Sequence, residues 1–196
     1  WYEMLEITST PLVLIAILGT VGILLPIISI VRKEKGSNSF YAVIAFAALI
    51  VSMGYVGYQF LSENVAPAAL FSEDVIVDDA FGGLFAIAML IVALFTTVGS
   101  FNYMRKHNSP AVYYSLILLA TIGMVLVAYS TDLVMLFVAW ELMSIPTYVL
   151  VGFMKKNPSS NEAALKYFLF GALSSAIIVY GISISYGLTG STNIGE

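Results

Sequence analysis

Six apolar runs, at 11–31, 40–61, 81–101, 111–128, 131–153 and 162–187, constrain this chain more than any other feature of it. A bilayer's hydrocarbon core is about 30 Å thick, and a helix rising ~1.5 Å per residue needs about 20 apolar residues to cross it. Each run is close to that length or longer. Only 10% of the 196 residues are charged and 60% are hydrophobic, with a mean hydropathy of +0.94. Soluble domains carry about 25% charged residues. The expected fold is all-α: a polytopic transmembrane helix bundle of about six spans, forming a single membrane domain over 1–196.

The fifth run, TDLVMLFVAWELMSIPTYVLVGF, carries Glu141 near its middle. About ten residues flank it on each side, so the carboxylate sits roughly 15 Å from either end, at the bilayer midplane. A charge at that depth costs roughly 3 kcal/mol on insertion scales, and intramembrane acids usually mark ion or proton paths. Ser144 and Tyr148 follow at i+3 and i+7 and share its face. Pro146 removes the N–H that would bond to Leu142, so a local bend is expected. The structural alternative is a Glu kept protonated, or paired with a neighbouring helix, for packing alone.

Punctuation between the runs is legible. Thr10 and Pro11 read as N-cap and first helical residue, and Pro26 as a kink in the first span. Tyr55 and Tyr58 suit a membrane interface. The loop 62–80 is purely acidic (Glu63, Glu73, Asp74, Asp78, Asp79), and its DVIVD segment reads as a short exposed strand. His107 reads as a solvated loop residue. Pro110 opens the fourth span. Ser130 or Thr131 is expected to cap the fifth helix, with Asp132 at the positive end of its dipole. The sixth run exceeds the usual length, so tilt or an extension past the bilayer is expected. Its small pairs four apart, Gly171 with Ser175, Ala172 with Ala176 and Gly181 with Ser185, read as packing positions.

Seven of the eight Lys and Arg residues fall in three loops: Arg32, Lys33 and Lys35; Arg105 and Lys106; Lys155 and Lys156. These follow the first, third and fifth runs, so six spans put them all on one side. The positive-inside rule makes that side cytoplasmic and leaves both ends of this chain outside, in a multi-pass protein of the cell membrane. The eighth cation, Lys166, lies inside the sixth run, roughly 7 Å deep. It has two placements: paired with Glu162 at i, i+4 and reaching for the interface, or turned inward toward Glu141, directly or through water.

Cysteine is absent and His107 is the sole histidine. A disulfide framework, a thiolate-held iron–sulfur cluster, a zinc site of the usual kind and a histidine-ligated haem are therefore not expected. If the function involves electrons, they travel elsewhere. No basic region precedes the first apolar run, so no cleavable signal peptide is expected. With Trp1 first and Glu196 last, in mid-loop, the chain reads as a segment of a longer protein.

The run YYSLILLATIGMVLVAYSTDLVMLFVAWELMSIPTYVL, followed by EAALKYFLFGALSSAIIVYGISISYGLTGSTNI, closely resembles the antiporter-like subunits of proton-pumping complex I. Among these it looks most like subunit N of NADH–quinone oxidoreductase and its archaeal relatives. The likeness is specific over about 112–194; before that it rests on helix number and spacing. It implies a proton-translocating membrane subunit that holds no redox centre. Quinone, iron–sulfur clusters and flavin are then expected in partner subunits. It also implies proton-path roles for Glu141, in WELMS, and Lys166, in EAALKYF. The family has about fourteen helices in two inverted repeats, so the resemblance implies that this segment alone does not pump. The implied partners are the bilayer and the other membrane subunits of a complex I-type assembly, not nucleic acid. Two further readings stay open: a subunit of a multisubunit cation/proton antiporter, whose sequences share the fifth-helix glutamate, and a non-transporting assembly scaffold.

Overall fold

The computed structural model describes residues 9–32, 38–61, 68–70, 75–105, 107 and 109–195. Lys33, Lys35, Lys106, Glu63, Glu73 and Asp74, on which part of the charge reading rests, lie outside them. Six helices follow one another: α1 (Thr10–Val31), α2 (Asn38–Leu61), α3 (Ala80–Met104), α4 (Pro110–Tyr129), α5 (Leu133–Val151) and α6 (Pro158–Thr189). All six are long and apolar enough to cross a membrane. Between α2 and α3 runs a two-stranded antiparallel hairpin, β1 (Ala68–Leu70) with β2 (Ile76–Asp78), in the register Ala68 to Asp78.

Helix α4 is the hub. It packs against α1, α2, α3 and α5, and Leu118 and Val125 on it are fully buried. Small side chains make these approaches close. Gly22 on α1 lets Leu118 and Leu119 come within 3.7 Å of where a β-carbon would stand, and the Ser115 hydroxyl donates to the Gly22 carbonyl at 2.5 Å. Gly123 faces the backbone of Met143 on α5 so closely that a β-carbon would lie 2.7 Å from the Met143 Cα. Without a side chain at 123 the two backbones meet directly, as small residues permit in membrane interfaces.

Helix α6 is different. It packs on α5 and has no fully buried residue. Only one stripe of it is shielded, including Ala164, Gly171, Ser175, Ile178, Ile182 and Ser185, at intervals of seven, four, three, four and three. That is the seam of a helix packed mainly on one described neighbour. It extends beyond the 162–187 read from hydropathy at both ends: Pro158 stands at its first turn and Gly190, at φ 76°, closes it in the left-handed conformation that suits glycine.

The end of the bundle opposite the basic loops is tied by backbone pairing. Ser130 bridges to Ile76, and the Thr131 N–H donates to the Val75 carbonyl at 3.1 Å. On the other side of the same turn, Leu133 N–H donates to Thr192 at 2.8 Å and Ile194 N–H to Thr131 at 2.9 Å. The α4–α5 turn is thus held between the hairpin and the segment after α6. Ile76 is 3% exposed, so this strand is not the exposed one expected from DVIVD; its inward side chain joins the core.

Two caps also depart from the sequence reading. Ser9, not Thr10, precedes α1, and the Thr10 N–H is satisfied from far along the chain by the Asp78 carboxylate, at 2.6 Å. Helix α5 is capped by Asp132, whose Oδ1 accepts from Met135 N–H at 2.8 Å, and not by Ser130 or Thr131. Ser130 and Thr131 are instead engaged by the hairpin, through Ile76 and Val75.

Candidate functional site

Glu141 stands eight residues after the start of α5 and ten before its end, about 12 and 15 Å along the axis. It is half-buried, on the side of α5 that meets α6. One carboxylate oxygen accepts a short hydrogen bond from the Ser175 hydroxyl. The contact spans the α5–α6 seam near its middle and links residues 34 positions apart.

Ser144 and Tyr148 surround this contact without joining it. The buried Ser144 hydroxyl donates to the Trp140 carbonyl at 2.8 Å, a bond within its own helix. Thr147, the residue after Pro146, donates its hydroxyl to the Ser144 carbonyl at 2.7 Å. Tyr148 lies across Gly171: a β-carbon there would come 2.7 Å from the ring's Cζ. The Tyr148 ring also meets Tyr167 and Phe168 edge-on, with centroids 5.0 and 5.7 Å apart. Gly171 and Ser175, one turn apart on α6, thus have separate tasks: one admits an aromatic ring and the other supplies a hydroxyl.

Lys166 does not reach Glu141. Its ammonium pairs with Glu162 at 2.5 Å, and both side chains are about two thirds exposed. Nine residues separate Lys166 from Ser175, roughly 13 Å along α6 and about half a turn around it. Lys166 therefore looks away from the α5 seam, and the inward placement is not the one adopted. Among the described residues no group of three His, Asp or Glu side chains comes together as a metal site.

Sequence reasoning missed Ser175 as a partner of Glu141. The signal was present, since Gly171 and Ser175 were read as a face for close approach. Nothing in the spacing told which neighbouring helix that face would meet.

Six membrane-length helices with one carboxylate on the α5–α6 seam define a polytopic helical membrane protein. Over residues 130–196 the chain matches the family described as NADH:quinone oxidoreductase/Mrp antiporter, TM. It is 41% identical over 179 residues to NADH-quinone oxidoreductase subunit N 1 of Koribacter versatilis, covering 90% of this chain and 35% of that protein. It is 37% identical over 148 residues to F(420)H(2) dehydrogenase subunit N of Methanosarcina mazei, covering 76% of this chain and 30% of that one. Among solved structures, respiratory complex I from Thermus thermophilus with bound aureothin superposes with a TM-score of 0.75 at 28% identity, over 93% of this chain and 38% of the matched one. The membrane-bound sulfane sulfur reductase, an archaeal respiratory complex, shares the fold, with a TM-score of 0.77 at 21% identity. The chain belongs to the antiporter-like membrane subunits of NADH:quinone oxidoreductase, on the subunit N branch. It spans about a third of the length of the curated relatives it matches.

Proposed function

We propose that this chain is part of a proton-translocating membrane subunit of a complex I-type respiratory oxidoreductase. It carries no redox centre. Electrons pass from donor to quinone in partner subunits, which hold the flavin and iron–sulfur clusters, and coupling reaches this chain through conformation and electrostatics. The observation that carries the reading is Glu141: a carboxylate at mid-helix depth whose partner is a hydroxyl from the next helix and not a cation. An acid there takes up and releases protons as nearby charge moves, because a neighbouring cation favours its ionised form and desolvation disfavours it. Lys166 acts from the far face of α6, where it modulates or feeds the path without touching Glu141.

Purification of the full-length protein from its host tests the class. Co-eluting iron–sulfur subunits and donor-driven quinone reduction are expected; sodium–proton exchange without them would assign the chain to a cation antiporter instead. The contact itself has its own test. Ser175→Ala removes the hydroxyl's hydrogen bond to Glu141, and such a bond is worth about 1 kcal/mol, more when its partner is charged. Translocation in inverted vesicles should fall to between wild type and a Glu141→Gln variant, and Ser175→Thr should restore most of it. Wild-type pumping by Ser175→Ala would leave the contact without a role in transport.

For orientation we propose that Arg32, Arg105, Lys155 and Lys156 face the cytoplasm, and that the β-hairpin and both ends of the chain lie outside. A cysteine at Asn157 should be protected from an impermeant thiol reagent added to intact cells, and one at Ala80 should be labelled. The reverse pattern would invert the topology.

A further inference from the structure

A cavity of about 630 Å³ opens where the α5–α6 loop folds beside the start of α4, at the basic end of the bundle. Its two walls differ in chemistry. One wall is basic, with Lys155, Lys156 and His107. The other is apolar, with Val112, Val149 and Phe153 from α4, α5 and the loop just after α5. Among the described residues neither lysine pairs with a carboxylate, and no acid lines the cavity.

The backbone fixes this arrangement. Lys155 N–H donates to the Phe153 carbonyl at 3.1 Å and Asn157 N–H to the Met154 carbonyl at 2.8 Å, so the loop turns tightly and holds both lysines at the rim. Asn161 clasps the Lys155 carbonyl at 3.1 Å. His107 is fixed too: its Nδ1 lies 2.8 Å from the Tyr103 carbonyl, which can only accept, so Nδ1 carries a proton and Nε2 stays available. Ser109 turns the chain into α4 at φ 67°, the single left-handed non-glycine residue among those described. Val112 and Val149 are 39% and 48% exposed, so the apolar wall continues down the outside of two membrane helices.

We infer that this cavity binds the phosphate of an anionic phospholipid. A phosphate diester needs unpaired cations, and basic pockets between membrane helices supply them. A free phosphate would need the cations alone. The apolar wall, continuous with the helix surface, fits the glycerol and first acyl carbons of a molecule already lying in the bilayer. A lipid held there would bridge α4 and the α5–α6 loop.

The test uses the full-length protein in its complex, reconstituted in vesicles of phosphatidylcholine carrying a trace of photoactivatable phosphatidylglycerol, with crosslinked peptides mapped by mass spectrometry. Crosslinks are expected on the peptides spanning 109–112 and 149–157. A photoactivatable phosphatidylcholine at the same mole fraction should label them severalfold less. The double variant Lys155→Gln, Lys156→Gln, assembled normally on a native gel, should bring the phosphatidylglycerol signal down to the phosphatidylcholine level. Equal labelling by the two probes, or labelling unchanged in the double variant, would overturn the site. Complete displacement by inorganic phosphate would overturn the lipid in favour of a free anion. If the double variant fails to assemble, Lys156→Gln alone is read against the same two probes.

Discussion

In the full-length protein within its complex, Glu141→Gln is expected to assemble normally and to pump only a small fraction of the wild-type protons per electron. The amide is close to the carboxylate in shape and still accepts from the Ser175 hydroxyl, so the α5–α6 seam keeps its hydrogen bond. What disappears is titration at mid-helix depth. Glu141→Asp should retain part of the activity, because it keeps a carboxyl group but draws the oxygens back from α6. Lys166→Ala should cost less than half of the translocation. Its ammonium is engaged with Glu162 on an exposed face, and exposed pairs are typically worth less than about 1 kcal/mol. Translocation is measured in inverted vesicles, with complex content read from native gels. A Glu141→Gln complex that pumps at the wild-type ratio would make the carboxylate structural. If neutralising Glu141 and Lys166 together leaves coupling intact, the scaffold reading prevails.

Gly123→Val should be the most damaging substitution for assembly. Even the first added carbon meets Met143, whose backbone Cα would lie at 2.7 Å and whose Cβ at 2.8 Å. A flexible side chain could swing aside, but a helix backbone has to translate, and α4 is held on its other sides by α1, α2 and α3. Overpacking a well-fitted core costs about 1–3 kcal/mol, and the valine adds two further methyl groups to a site already in conflict. Gly123→Ala should lower the thermal midpoint of the purified complex, and Gly123→Val should sharply reduce its yield. Gly99→Ala, on α3, is the control: a β-carbon there meets nothing within 4 Å, and the midpoint should not fall. A Gly123→Ala complex as stable as wild type would mean that α4 and α5 do not approach this closely.

Helix number was readable from the chain because hydrocarbon thickness sets a length that apolar runs must meet. The depth of Glu141 followed from the same ruler. Direction around each helix axis was not readable. In a soluble helix the polar face points to water, but α6 is apolar nearly all round, so its period does not say which residues meet α5. Lys166 and Ser175 are both polar and nine residues apart, so the helix period sets them on opposite faces, but only the packing shows which face meets α5. Gly123 was overlooked for a related reason. A lone glycine in ATIGMVLV differs little from its apolar neighbours until the backbone it faces is known. The α5 cap was misread because capping preference is local, whereas Ser130 and Thr131 are recruited into backbone pairing by Ile76 and Val75 from a distant loop.

The choice of serine opposite Glu141 has a consequence for reversibility. A hydroxyl is both donor and acceptor. Facing the ionised carboxylate, Ser175 gives its hydrogen; facing the protonated acid, it can rotate and receive one. The seam stays satisfied in either state, so neither form is trapped by the loss of its neighbour. An ammonium in the same place could serve only the anion. Position 175 thus holds a two-way rotor instead of a counter-ion, which is what the proposed loading and emptying of the carboxylate by charges farther away requires.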